Sequence, residues 1–146
     1  VVIQQVRAQV FLQKGDNLKA IEPLEEALTI GDKHKFLEPR AALEYSDYLS
    51  QLYYMAAQEA SKTPDVQREL FKKSSHYVER WIRETPKPNP DKYSFAASIL
   101  FYWANLDPTN KDINLIKRAE KHVDNALLLT VKPKEALYVL KLATVQ

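Results

Sequence analysis

The sequence predicts an all-α chain of about seven helices, and three observations predict it. Apolar residues recur at helical spacing, as in Leu70, Phe71, Ser74, Tyr77, Val78, Trp81 and Ile82, and again in Ile116, Ala119, Val123, Ala126 and Leu127. Proline and capping residues stand where helices would begin or end. A spacing of one small residue followed by apolar residues four, seven and eight positions later recurs three times, in Ala20-Leu24-Ala27-Leu28, Ser74-Val78-Trp81-Ile82 and Ala119-Val123-Ala126-Leu127.

Taken in order, the expected helices span 1–14, 17–30, 39–61, 65–84, 91–106, 111–129 and 134–146. The first begins in Val1-Val2-Ile3-Gln4-Gln5-Val6, and Gly15 can end it in a left-handed turn. Pro23 lies near the first turn of the second helix, where a missing amide costs less than the ~3 kcal/mol of a mid-helix proline. Glu38-Pro39-Arg40, Thr63-Pro64-Asp65 and Asn89-Pro90-Asp91 read as helix starts, because proline suits the first helical position and Thr or Asn can cap free amides. The segment Thr85-Pro86-Lys87-Pro88-Asn89-Pro90 cannot be helical and reads as a stiff connection. The last stretch, Glu135 to Gln146, is apolar and has no cap signal.

A repeat underlies this order. The twelve residues from Tyr45 to Ala56 align without gaps on those from Tyr93 to Ala104, 48 positions later, and six of the twelve are identical. The stretch Ala8, Phe11, Gly15, Ala20, Leu24, Ala27 then resembles one tetratricopeptide repeat (TPR), with Pro86 at the family's closing proline relative to Ser74. The later repeats depart from the pattern. Between the small residue ending one helix and that in the next, the gap is 5 residues at Gly15–Ala20, 18 at Ala56–Ser74 and 15 at Ala104–Ala119. The resemblance implies a TPR-like α-α superhelix, a right-handed stack of antiparallel helix pairs with lengthened later repeats. One domain, 1–146, would divide into repeats of roughly 1–38, 39–88 and 89–132 and a terminal helix 133–146. A compact bundle of the same helices is the alternative. Trp81 falls where Ala27 and Ala126 fall in the other repeats and is expected to be largely buried.

Composition narrows the chemistry. The 146 residues are 45% hydrophobic and 27% charged, ordinary values for a globular domain. Two glycines argue against phosphate-cradling loops, and the lack of cysteine excludes disulfides, thiol catalysis and Cys-ligated zinc. A net charge of +2 does not point to nucleic acid. The basic residues Arg68, Lys72, Lys73, Arg80, Arg83, Lys117, Arg118 and Lys121 alternate with acids, as on salt-bridged helix faces. No apolar run approaches the roughly 18 residues of a membrane span. Among the three histidines, His76 near Glu79 and His122 near Asp112 or Asp124 invite a metal reading, but no His-x3-His or His-Glu-x2-His occurs, and packing or exposure accounts for them. His34 and the carboxylate pair Glu25-Glu26 form no recognisable catalytic set. The expectation is no enzyme, no metal and no cofactor.

The aromatic doublets carry the functional expectation. If Tyr45, Tyr48, Leu49 and Leu52 form a packing face, repeated by Tyr93, Ala96, Ala97 and Leu100, then Ser46, Ser50, Tyr53 and Tyr54, with Ser94, Ser98, Phe101 and Tyr102, lie on or beside the opposite face. In TPR proteins the first helix of each pair lines a concave groove that binds a peptide or partner helix, and the resemblance implies that role for these eight residues. The other reading is that they only fill contacts between helices. A TPR subclass that grips acidic chaperone tails uses Lys, Asn and Arg there, whereas this chain has Gln5, Gln9, Ser46, Ser50, Ser94 and Ser98. The expected partner is therefore a protein or peptide of another kind, bound by a non-catalytic scaffold. A regulatory or sensor domain attached to an enzyme or transcription factor is the alternative. The run from Trp81-Ile82 through the proline-rich joint to Lys132-Pro133-Lys134-Glu135 also resembles exported bacterial TPR proteins, which implies a periplasmic location, with the cytoplasm the alternative. Both ends read as cut from a longer protein. The apolar ends, Val2, Ile3, Val6 and Val10 at one and Leu137, Tyr138, Leu140, Leu142 and Val145 at the other, predict self-association.

Overall fold

The computed structural model describes residues 2–15, 17–34, 39–59, 63–129 and 140–144. They form six α-helices: α1 (Val2–Gln13), α2 (Ile21–His34), α3 (Pro39–Gln58), α4 (Pro64–Glu84), α5 (Pro90–Ala104) and α6 (Ile113–Leu129). A 3₁₀ turn, Asn17–Ala20, leads into α2. There is no strand among the described residues. Of the seventh expected helix, only residues 140–144 are described, and these are helical.

Local chemistry sets the boundaries. Gly15 ends α1 with φ of 77°, a conformation costly for any residue with a Cβ. Thr63 caps α4 by accepting from the Val66 amide, and Asn89 caps α5 by accepting from the Asp91 amide. Asp112 does the same for α6, accepting from Asn114 and Leu115. Pro39, Pro64 and Pro90 each open their helix, where the absent amide donor would have had no intrahelical partner. Pro23 is buried two residues into α2, so it too falls within the first turn.

Helices pack on their chain neighbours, from α1 on α2 through to α5 on α6. The α3–α4 pair is antiparallel: Gln67 donates to the Ala57 carbonyl and Ser74 to the Ser50 carbonyl, so partners descend α3 as they ascend α4. Tyr93 meets His122 across α5 and α6 while Ala104 and Leu115 share one apolar cluster at the other end, which makes that pair antiparallel as well. Alternate helices touch in the same direction. Glu25 and Asp32 of α2 reach Tyr77 and Arg80 of α4, 52 and 48 residues on. Asp47 of α3 pairs with Lys92 of α5, and Tyr54 lies beside Tyr102. The even-numbered helices thus form one layer, and α3 and α5 lie together in the other.

Burial follows this serial order. One apolar cluster joins α1, the 3₁₀ turn, α2 and α3, a second joins α3, α4 and α5, and a third joins α5 and α6. The threefold spacing seen in the sequence lies inside these clusters. Ala20, Leu24, Ala27 and Leu28 are all buried, as are Ser74, Val78, Ala119, Val123 and Ala126. Trp81 is mostly buried, as its place in the repeated spacing leads one to expect, and the Lys92 ammonium sits 5.4 Å from its ring centre.

The twelve-residue match carries into packing in part. Leu49, Leu52 and Ala56 are buried, as are their counterparts Ala97, Leu100 and Ala104, and α3 and α5 run parallel, each followed by an antiparallel partner. The match fails at Tyr48 and Gln51, which are exposed where Ala96 and Ile99 are fully buried. At the ends, Ile3, Val6 and Val10 are exposed on α1, Leu142 is exposed, and Leu140 packs on the α5–α6 cluster. Leu137, Tyr138 and Val145, which the self-association expectation also used, lie outside the described residues, as does the side chain of Val2.

Candidate partner-binding face

Charge alternates from helix to helix. Helices α1, α3 and α5 carry one, three and two charged residues in 12, 20 and 15 positions. Helices α2, α4 and α6 carry five, nine and five in 14, 21 and 17. On the even-numbered layer these charges interlock from helix to helix. Arg80 grips Asp32 with two hydrogen bonds of 2.8 Å and also reaches Glu84. Arg118 contacts Glu79 at 2.7 Å, His122 joins it at 3.1 Å, and Lys141 bridges Glu120 and Asp124. This layer is a solvated, cross-linked surface.

Glu79 is the most enclosed acid of that ladder. Burial works against its charge, but the hydrogen bonds from His122 and Arg118 outweigh it and hold the carboxyl below the ordinary range. Its contribution to stability is therefore complete above the unfolded carboxylate value, about 4.3, and is lost as pH falls through the lower folded value. Urea titrations from pH 6 to pH 3 should show a decline in stability that is shallower in Glu79→Gln. An unchanged slope would remove Glu79 from the acid response.

A second knot ties α2, α3 and α4. Tyr53 and Tyr77 both donate to the Glu25 carboxylate, one to each oxygen, and their rings stack 6.0 Å apart within 5° of parallel. Burial, then the bond to Glu25, pushes both hydroxyls up from the ordinary tyrosine value.

The eight sequence candidates separate into two groups. Ser46, Ser50 and Tyr53 are buried, contrary to the open face expected for them. The reason is that α3 packs against α2, the 3₁₀ turn and α4 together and needs a wider buried arc than one helical stripe. Ser50 and Ser74 are small enough to let α3 and α4 approach until Ser74 Oγ reaches the Ser50 carbonyl at 2.6 Å. Ser94 and Ser98 are half-buried, and Ser98 Oγ bonds back to the Ser94 carbonyl.

Tyr54, Phe101 and Tyr102 do come together, with Phe71 and Phe95. Tyr54 meets Phe95 edge-on at 5.2 Å, Phe71 at 6.2 Å and Tyr102 at 6.3 Å. Tyr102 stacks on Phe71 and abuts Phe101. Burial, with Tyr102 alongside, pushes the Tyr54 hydroxyl up, while the bond from Gln58 opposes it. No family model, curated protein or solved structure matches the chain.

From Tyr102 this cluster continues onto residues outside the eight candidates, Tyr48, Gln51, Met55 and Gln58. Tyr48, Met55 and Tyr102 are 46%, 48% and 47% exposed, and Gln51 and Gln58 are exposed beside them. Tyr48, Gln51, Met55 and Gln58 follow a 3-4-3 spacing, one line along α3. The signal that would have found them is the per-helix charge count. An exposed helix with few charges has little reason to avoid an apolar partner.

Two facts bound other readings. Among the described residues, no group of three His, Cys, Asp or Glu is placed to hold a metal, and no helix is long and apolar enough to cross a membrane.

Proposed function

We propose that the chain is a non-catalytic scaffold, a TPR-like stack of helix pairs that binds a protein or peptide on its charge-poor layer. One observation carries the reading: α3 and α5 hold few charges and expose Tyr48, Met55 and Tyr102, while α2, α4 and α6, which also expose Val66, Ile113, Leu128 and Leu129, spend their charges on neighbouring helices. Aromatic and Met side chains are the types enriched where proteins bind one another, and Lys and Glu are depleted there. Helix α5 is apolar on nearly all sides, as expected of a helix covered on both faces once a partner is bound. Packing between chain neighbours, with side-chain contacts between alternate helices, is consistent with stacked pairs. The reading follows the TPR groove in design, although here the candidate surface is aromatic and amide-rich rather than a cationic clamp.

The test is photo-crosslinking in the source cell. A photoreactive amino acid at Tyr48 or Tyr102 should join the chain to a discrete partner, and the same group at Lys72 or Lys121 on the charged layer should not. Equal crosslinking from both layers, or crosslinking from the charged layer alone, would contradict the proposal.

A further inference from the structure

The seam between α3 and α5 is open. A recess of about 320 Å3 lies there, bounded by Gln51, Tyr54 and Met55 on α3 and by Asp91, Lys92 and Phe95 on α5. The edge-on pair of Tyr54 and Phe95 gives it an aromatic wall. Lys92 turns its ammonium to Asp47 and to the Trp81 ring, leaving its methylene stem toward the recess. Met55 stands at the mouth, where a flexible thioether adapts to what it touches.

We propose that this recess receives one aliphatic or thioether side chain, Leu or Met, from an uncharged stretch of a partner protein lying along the α3–α5 seam. The inference rests on the charge-poor layer being the binding face. Charge decides the occupant. An anchor bearing a full charge would give up its hydration to an aromatic wall, with no opposite charge newly available to it from Lys92. An acidic anchor would also meet Asp91, and a basic one would gain little from that carboxylate, which is exposed to water. The partner is a chain segment rather than a small molecule because apolar exposure continues past the recess both ways. Tyr48 lies two turns before Met55 on α3 and Tyr102 two turns beyond Phe95 on α5, each about 10 Å along its helix.

Met55 is the single methionine of the sequence, so protein labelled with methyl-13C methionine gives one resonance, placed at the mouth of the recess. The probes are uncharged pentapeptides, acetyl-Gln-Ser-X-Ser-Gln-amide, with X as Leu, Met, Ala, Lys or Glu. With Leu or Met the signal is expected to shift and saturate at low-millimolar peptide. Ala, Lys and Glu should need at least about tenfold more, the equivalent of one lost anchor. Gln51→Trp, made from an exposed position, should fill the recess and weaken the Leu and Met peptides by about tenfold while the melting temperature holds. No saturable shift with Leu or Met, an equal response to Lys or Glu, or full binding by Gln51→Trp would overturn the proposal. If Gln51→Trp does not fold, the peptide series on the natural chain decides alone. The titration needs no native partner. Failure here with intact crosslinks at Tyr48 and Tyr102 therefore discards the recess alone, and failed crosslinks discard the binding face.

Discussion

Leu100→Ala is expected to cost about 3–5 kcal/mol of stability, the upper part of the range for a buried leucine. Leu100 has no exposed surface, and its cluster contains Ala97, Ala104 and Ala119 beside Leu115 and Val123. Alanine methyls are too short to move into the space a leucine leaves, so the cavity should persist. Leu128, 84% exposed on the neighbouring helix, supplies the control, and Leu128→Ala should change stability by less than about 0.5 kcal/mol. Because packing is serial, hydrogen exchange should quicken more in α5 and α6 than in α1 and α2. Chemical denaturation of the two variants measures the first effect. A Leu100→Ala loss below about 1 kcal/mol would mean that the α5–α6 cluster is not a close-packed core.

Glu25→Ala carries the second-largest effect, about 2–4 kcal/mol. It strips the shared acceptor from Tyr53 and Tyr77, and Tyr53 is buried, so its hydroxyl is left without its partner. Three helices lose a common tie. The discriminating measurement is a mutant cycle. On a Tyr53→Phe, Tyr77→Phe background, where no hydroxyl needs the carboxylate, Glu25→Ala should cost less than about 1 kcal/mol. A similar cost on both backgrounds would show that Glu25 acts through something other than the two hydroxyls.

The all-helical fold was legible because its signals are local. Proline at a first helical turn, Thr63 and Asn89 as caps and Gly15 in a left-handed turn each act within four residues, and each stands where the sequence places it. The spacing that begins at Ala20, Ser74 and Ala119 was also reliable, since it records the stripe that every second helix buries. The identity between Tyr45–Ala56 and Tyr93–Ala104 is matched in part, since α3 and α5 run parallel and bury Leu49, Leu52 and Ala56 like Ala97, Leu100 and Ala104. The buried arc also depends on the neighbours, and α3, set against α2, the 3₁₀ turn and α4, covers Ser46, Ser50 and Tyr53 where Ser94, Ser98 and Phe101 stay partly exposed. Identity does not say which flanking positions are covered, and Tyr48 is exposed where Ala96 is buried.

The candidate face was half legible. Tyr54, Phe101 and Tyr102 stood out as aromatic doublets, and the structure gathers them with Phe71 and Phe95. Gln51, Met55 and Phe95 carried no motif, because a recess between α3 and α5 is made by residues 40 positions apart. The contrast in charge between alternate helices was in the sequence throughout. It becomes meaningful only when the helices are known to form layers, so that a difference between segments is a difference between surfaces.

Binding by the uncharged layer is the central claim, and affinity for the partner identified by crosslinking tests it most directly. Calorimetry should compare the natural chain with two double variants, Met55→Glu with Tyr102→Glu on one layer and Lys72→Glu with Lys121→Glu on the other. All four positions are exposed, so both variants should fold. The first pair places charge on a surface that must lose its water, and affinity should fall by at least about 30-fold, as for loss of an interface hot spot. The second pair should bind within about threefold of the natural chain. A larger loss from the lysine pair than from the Met55 and Tyr102 pair would contradict the account and move the binding site to the charged layer.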